Sequence, residues 1–157
     1  MKLAWLAMAV VLTGCIDMSY QMTHQFDPSE YVAYAGHGDG AIVGQAFLRQ
    51  RSGRVVTCAG ESVVLVPATG YTREWAMSMG SGLNVKGAEI SRIDQVGAGR
   101  GLICDANGVF QATGLKPGRW IALTDVFWYA GNEPQGGVLW GETQVQPGQT
   151  AQLILTR

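Results

Sequence analysis

Residues 100–129 read RGLICDANGVFQATGLKPGRWIALTDVFWY. Three apolar runs, Arg100 to Cys104, Val109 to Thr113 and Arg119 to Tyr129, are separated by Asn107-Gly108 and by Lys116-Pro117-Gly118. Glycine accepts the positive φ of tight turns and proline presets φ at a turn's second position, so both breaks read as turns between short strands. The pattern continues outward. Ala41 to Gln50 alternates, with Ile42, Ala46 and Leu48 on one side and Val43, Gln45, Phe47 and Arg49 on the other. Arg51-Ser52-Gly53-Arg54 reads as a turn, Val55 to Cys58 and Ser62 to Pro67 as strands split at Ala59-Gly60-Glu61, and Val138 to Val145 and Thr150 to Thr156 as the last two strands. About eight short strands between turn signals form the pattern of an all-β sandwich. The 22 glycines among 157 residues are about twice the usual share and fit many tight turns.

Tyr71 to Gly99 departs from this pattern. The period of two disappears, Tyr71 to Met79 has the character of a short helix stopped by Gly80, and Gly80 to Gly99 reads as an inserted loop. A loop of that length in a small domain is usually functional or poorly ordered, so it is expected to stay mobile and to face a partner. Residues 15–40 read as an N-terminal segment and tether, with a first short strand at Glu30 to Ala35, leaving 41–157 as one domain. Apolar residues make up 47% of the chain, charged residues 15%, and the net charge is −1. That composition predicts a folded chain and disfavours nucleic acid as a partner, since no basic surplus is present to meet phosphates.

The stretch Asp105-Ala-Asn-Gly108-Val-Phe110-Gln-Ala-Thr-Gly114-Leu115-Lys-Pro117-Gly118-Arg-Trp120 resembles the D-x-x-G-x-F-x-x-x-x-L-x-P-G-x-Y/W motif of carboxypeptidase-regulatory-like domains. Gly44 to Leu48 and Val63 to Thr69 resemble the opening strand of such domains and the one after it. The resemblance implies a transthyretin-like (prealbumin-like) β-sandwich of about seven to eight strands with a helical or loop insertion at 71–99. It also implies a structural and interaction module, and it carries over no catalytic residue. The element from Thr57-Cys58-Ala59-Gly60 through Pro67, Thr69 and Tyr71 to Glu74 is similar to a recurrent pattern in small envelope lipoproteins.

Residues 1–14 pair a basic start at Lys2 with an uncharged apolar stretch from Leu3 to Leu12, the arrangement of an export signal and too short to span a bilayer. Leu12-Thr13-Gly14-Cys15 resembles the lipobox of bacterial lipoproteins, which implies acylation of Cys15 and cleavage before it. Stable anchoring takes at least two acyl chains, which a lipobox cysteine carries. In such proteins Asp directly after the modified cysteine resembles an inner-membrane retention signal. Here Ile16 takes that place and Asp17 follows, so the expected site is the periplasmic face of the outer membrane.

With Cys15 taken by lipid, Cys58 and Cys104 remain. An even pair in an exported protein reads as a disulfide, the alternatives being two buried thiols or a reactive one. Hydrolase readings lack parts. A nucleophile needs a positioned base, and His24 and His37 lie in the tether and in Gly36-His37-Gly38-Asp39-Gly40. His37 with Asp39 supplies two ligands where zinc takes three or four. The carboxylates Asp94, Asp105, Asp125, Glu133 and Glu142 cannot be paired from sequence, and no phosphate-binding glycine motif is present. No cofactor or metal is expected.

The aromatic residues are the remaining signal. Taking Gly131 to Gly137 as a hairpin loop and pairing Val126 with Trp140 puts Trp120, Val126, Trp128, Val138 and Trp140 on one face. Ile121, Leu123, Phe127, Leu139 and Val145 then share the other. Both faces are too apolar for one to be wet, so the insertion, through Tyr71 or Trp75, is expected to roof the tryptophan face. Otherwise Trp75, Trp120, Trp128 and Trp140 form an interaction surface. The sequence thus points to a non-catalytic envelope lipoprotein, a structural or protein-interaction module with an envelope protein as partner. A glycan-binding module using exposed aromatics is the alternative. Replacing Cys15 by serine should abolish acylation and leave the protein uncut or soluble. Metabolic labelling with an alkyne fatty acid checks this, and label retained on the variant would remove the lipobox reading.

Overall fold

Alternation along Gly40–Arg49 (β1) buries Ile42, Ala46 and Leu48 and turns Val43, Gln45 and Phe47 outward, as a strand with one covered face requires. The computed structural model of the protein describes residues 19–157; the expected export signal at 1–14 and the expected lipidation site Cys15 lie outside the described residues. After β1 come β2 (Val55–Thr57), β3 (Ser62–Pro67), the helices α1 (Gly70–Gly80) and α2 (Ile90–Gln95), and β4 (Arg100–Ile103). The chain ends with β5 (Val109–Leu115), β6 (Gly118–Ala130), β7 (Glu133–Val145) and β8 (Thr150–Leu155).

The strands form two sheets. In the first, β1 pairs antiparallel with β2 and β5 and parallel with β8. The second runs β4-β3-β6-β7, antiparallel throughout. Ile42, Leu48, Phe110 and Leu155 of the first sheet meet Val63, Leu65, Trp120 and Leu139 of the second in the core between them. The outer face of the second sheet is covered as well. Val66, Ile121 and Leu123 lie beneath Trp75 and Ala76 of α1, Ile93 of α2 and Tyr31. Burial on both faces explains why β3 and β6 read as continuous apolar runs.

Local chemistry starts α1 at the expected place. Thr69 and Thr72 form a reciprocal capping box, and the Thr72 hydroxyl also donates to the Pro67 carbonyl at 2.6 Å, which satisfies donors that a helix start leaves open. The insertion is therefore helical in part, but Gly80 to Gly99 is not a free loop. Ile93 and Ala98 are fully buried, and the Glu89 N–H donates to the Tyr71 hydroxyl at 2.6 Å. The expected mobile segment gave way to packing that its sparse apolar residues did not advertise.

Two expectations about the N-terminal segment are corrected. The strand expected at Glu30 to Ala35 is a 3₁₀ helix, Pro28–Tyr34. Asp27 caps it by accepting from the Ser29 N–H, and Pro28 presets the first turn, a start signal that outweighs the β-forming residues after it. The described part of the expected tether is also docked. Tyr31 is fully buried, and its hydroxyl, pushed up to about 12 by burial, lies 2.9 Å from Thr69 Oγ1. Tyr34 sets its ring edgewise to Trp120, with centroids 5.4 Å apart.

Cys58, just after β2, and Cys104, just after β4, form a disulfide with their Cα atoms 5.8 Å apart, so the bond ties the first sheet to the second. It closes a separation of 46 residues, which chain-entropy reasoning converts to about 4 kcal/mol at the upper end. The Cys58→Ala/Cys104→Ala double variant should melt roughly 10 °C lower. Thermal circular dichroism reads this directly, and an unchanged melting temperature would show that the cross-link adds nothing.

Candidate functional site

β6 and β7 are thirteen residues each, but β3 pairs with β6 only from Trp120 to Thr124. Asp125 to Ala130 and their partners Glu133 to Val138 therefore project past β3 as a two-stranded hairpin. Three consecutive aromatics ride on it. Since successive side chains alternate, Trp128 points to one side while Phe127 and Tyr129 point to the other. Phe127 is 53% exposed and Tyr129 75%.

Trp128 is half-buried, packed on the edge of the core between the sheets. It lines an open cavity of ≈ 500 Å³ with Gln50, Arg51 and Ser52 from the β1–β2 turn and Gln135 from β7. Gln135 is the cross-strand partner of Trp128, and the Ser52 hydroxyl donates to the Gln50 amide oxygen at 3.3 Å. The turn closes through Gln50 N–H to Arg54 O and Gly53 N–H to Gln50 O, which fixes its three polar residues opposite the ring. An indole with two amides, a hydroxyl and a guanidinium around it combines an apolar platform with donors and acceptors, the composition of a small-molecule subsite.

The four tryptophans do not form one surface. Leu123, not Val126, lies opposite Trp140. The displacement from the expected pairing is odd, so it moves Trp140 to the opposite face from Trp120. Trp120 is fully buried between the sheets, while Trp75 and Trp140 pack with Ile121 and Leu123 on the outer face. The helix thus roofs Trp140 but not Trp120 or Trp128. The error arose at the turn. The connection is the two-residue Gly131-Asn132, Gly131 having φ +65°, while Gly136 and Gly137 belong to β7. Gly136 is needed where the strands approach, since a Cβ there would lie 2.0 Å from the Val126 carbonyl oxygen. Of the expected surface, Trp128 alone lines the cavity; Gln50, Arg51, Ser52 and Gln135 were not singled out, being unremarkable turn and strand residues until folding gathers them.

A second cluster surrounds Glu74 on α1. Its side chain is 9% exposed. Oε1 accepts from the Tyr20 hydroxyl at 2.8 Å and from the Thr23 N–H and hydroxyl at 2.6 and 2.8 Å. Oε2 accepts from the His24 N–H at 2.7 Å and lies 2.7 Å from His24 Nδ1. Burial by itself would raise the Glu74 pKa, but the backbone and side-chain bonds from Thr23 and His24 outweigh it and hold the carboxyl far below its ordinary value of 4.5. A carboxylate so fully engaged has little capacity left to take up a substrate proton. Ser78, one turn further along, hydrogen-bonds the Tyr20 hydroxyl. The cluster is a latch. It fastens residues 20–24 to α1.

The remaining candidate residues are dispersed. His37 lies over Gly114, Asp105 accepts from the Asn107 and Val109 N–H groups, and Glu142 is held by Arg73 and Arg119. Among the described residues no three His, Cys, Asp or Glu side chains are grouped to hold a metal ion.

No protein-family model matches the sequence, and no curated protein matches it. The fold has a solved counterpart. A Pseudomonas aeruginosa protein provisionally described as carbohydrate binding superposes with a TM-score of 0.69 at 23% identity, over 85% of this chain and 99% of its own. That likeness shows the fold alone. A chlorocatechol 1,2-dioxygenase from Pseudomonas putida aligns over 95% of this chain and 70% of its own at 12% identity, with a TM-score of 0.25, which carries no argument.

The latch yields a pH prediction. A lowered folded-state pKa means that Glu74 adds stability above its unfolded pKa, near 4.5, and that the gain is lost as pH falls through the folded value. The Glu74→Gln variant should expose residues 19–26 to hydrogen exchange at pH 7 and lose part of the acid-side fall in melting temperature. Unchanged protection of those amides would mean that the segment is held by its apolar contacts alone.

Proposed function

We propose that the protein is a non-catalytic envelope lipoprotein that binds glycan at the tip of the β6–β7 hairpin. The observation that carries this reading is the Trp128 cavity. The apolar face of a sugar ring stacks on an indole, while Gln50, Ser52, Arg51 and Gln135 satisfy its hydroxyls, so a flat polar ligand finds both kinds of contact within one subsite. The description of the Pseudomonas aeruginosa counterpart as carbohydrate binding supports the same choice. The proposed place of action is the periplasmic face of the outer membrane, with Cys15 as the lipid anchor, and it rests on the lipobox resemblance. Kinship with carboxypeptidase-regulatory-like domains is supported by where the motif residues lie: Phe110, Leu115 and Trp120 in the core, Asp105 and Gly108 at the β4–β5 turn.

A protein-interaction module is the second reading, favoured by the outer face of the first sheet. Ile154 is 65% exposed there, opposite Gln45 in the parallel pair, on the same side as Val43 and Phe47. An envelope protein laid along this sheet would cover them.

Titrating the purified full-length protein with peptidoglycan fragments and chito-oligosaccharides, read by tryptophan fluorescence, tests the glycan reading. Trp128→Ala should weaken binding at least tenfold, about 1.4 kcal/mol, without altering the circular dichroism spectrum. Full affinity in that variant would remove the site. If the unaltered protein binds none of these glycans, the glycan reading fails and the protein-partner reading stands.

A further inference from the structure

The described chain enters the fold at a defined point. Tyr20 bridges to Val85, its N–H donates to the Asn84 carbonyl at 2.8 Å, and its hydroxyl is held by Glu74. Only residues 16–19 separate this fixed point from Cys15. Five residue steps reach at most about 18 Å even when fully extended. A lipid on Cys15 would therefore hold the Tyr20 entry close to the bilayer, and whatever side chains surround it would face the membrane.

Exposed apolar side chains stand there beside the polar residues Thr23, His24, Arg73 and Glu74. Met77, 57% exposed, lines the same cavity as Tyr20. Leu83, 44% exposed, directly precedes the Asn84 that holds Tyr20. Residues 79–82 line a second cavity with Phe127, which brings the exposed side of the hairpin next to the entry. Tyr129 continues that side about 7 Å along the strand. Arg157 lines the same second cavity and donates from its guanidinium to the Gly136 carbonyl at 2.6 Å, placing a cation beside the apolar residues. A methionine, a leucine, a phenylalanine and a tyrosine, flanked by an arginine, match the apolar boundary and anionic headgroups of a bilayer surface.

We propose that this face, formed by Met77, Leu83, Phe127 and Tyr129, docks on the lipid bilayer and sets the orientation of the domain. The inference rests on Cys15 being the lipid anchor. The contact does not have to bind by itself, because the anchor keeps the domain at high effective concentration over the bilayer; its effect is orientation. Trp128 points to the opposite side of the same strand, so docking would leave the glycan cavity turned away from the lipid.

The test places the photocrosslinker p-benzoylphenylalanine at Leu83, Phe127, Ile103 or Ile154 of the full-length protein in intact cells. Ile103 is a control with 70% exposure on β4, and Ile154 one on β8. Each variant is kept only if its melting temperature matches that of the unaltered protein, and acylation of Cys15 is read on the same samples by alkyne labelling. Phospholipid adducts, identified by mass, should form at Leu83 and Phe127 several-fold more than at Ile103 and Ile154. Equal adducts at all four positions on acylated protein would overturn the docking face while leaving the anchor intact. Protein adducts in place of lipid ones at Leu83 and Phe127 would assign the face to a protein partner and overturn the proposal. Absence of label on Cys15 would overturn the anchor and the docking face together.

Discussion

Thirteen residue pairs join β6 to β7, and the register of that hairpin decides where the aromatic side chains go. With Leu123 opposite Trp140, Trp120, Val126 and Leu139 enter the core between the sheets, while Ile121, Leu123, Val138 and Trp140 face α1. A shift by an odd number of residues between the strands would exchange the faces of one of them and put an indole where no cavity receives it. The two-residue turn at Gly131-Asn132 sets the register. Gly136 allows the strands to close at Val126. The length of the hairpin matters as much as its register, because the part beyond β3 carries both the Trp128 cavity and the exposed side bearing Phe127 and Tyr129.

The helix α1 couples this hairpin to the N-terminal segment. Arg73 and Glu74 are neighbours in sequence and point in different directions, as consecutive helical residues must. Arg73 makes a bidentate pair with Glu142 of β7, at 2.8 and 2.9 Å, while Glu74 gathers the donors of Tyr20, Thr23 and His24. Partly exposed ion pairs of the Arg73 kind add little stability individually. Their effect here is positional: the point where the chain enters the fold is set relative to the hairpin through one helix, with apolar burial of Trp75 and Ala76 supplying most of the adhesion.

The strands were legible because their signals are local. Alternation in β1, the turns at Asn107-Gly108 and Lys116-Pro117-Gly118, and the apolar runs of β3 and β6 each follow from residues within one or two turns of chain. The short helix from Tyr71 was legible for the same reason, through the loss of the two-residue period and the stop at Gly80. Cys58 and Cys104 were expected to pair once Cys15 was set aside for lipid, and the structure joins them. The site was less legible. Trp128 stood out as an exposed aromatic candidate, but Gln50, Arg51, Ser52 and Gln135 have no signal that separates them from ordinary surface residues, and Glu74 lies fifty residues from its His24 partner.

Sequence by itself thus determined the strands, their order, the first α-helix and the two-sided burial of one sheet, since propensity, period and turn chemistry act over a few residues. Tertiary structure decided the hairpin's register parity, the docking of residues 19–40 and the packing of 80–99. The glycines at 131, 136 and 137 show why. All three read alike as turn residues, yet Gly131 makes the turn while Gly136 sits in a strand against the Val126 carbonyl. Which glycine bends the chain and which admits a neighbouring backbone depends on an atom from another strand, and no local pattern contains that atom.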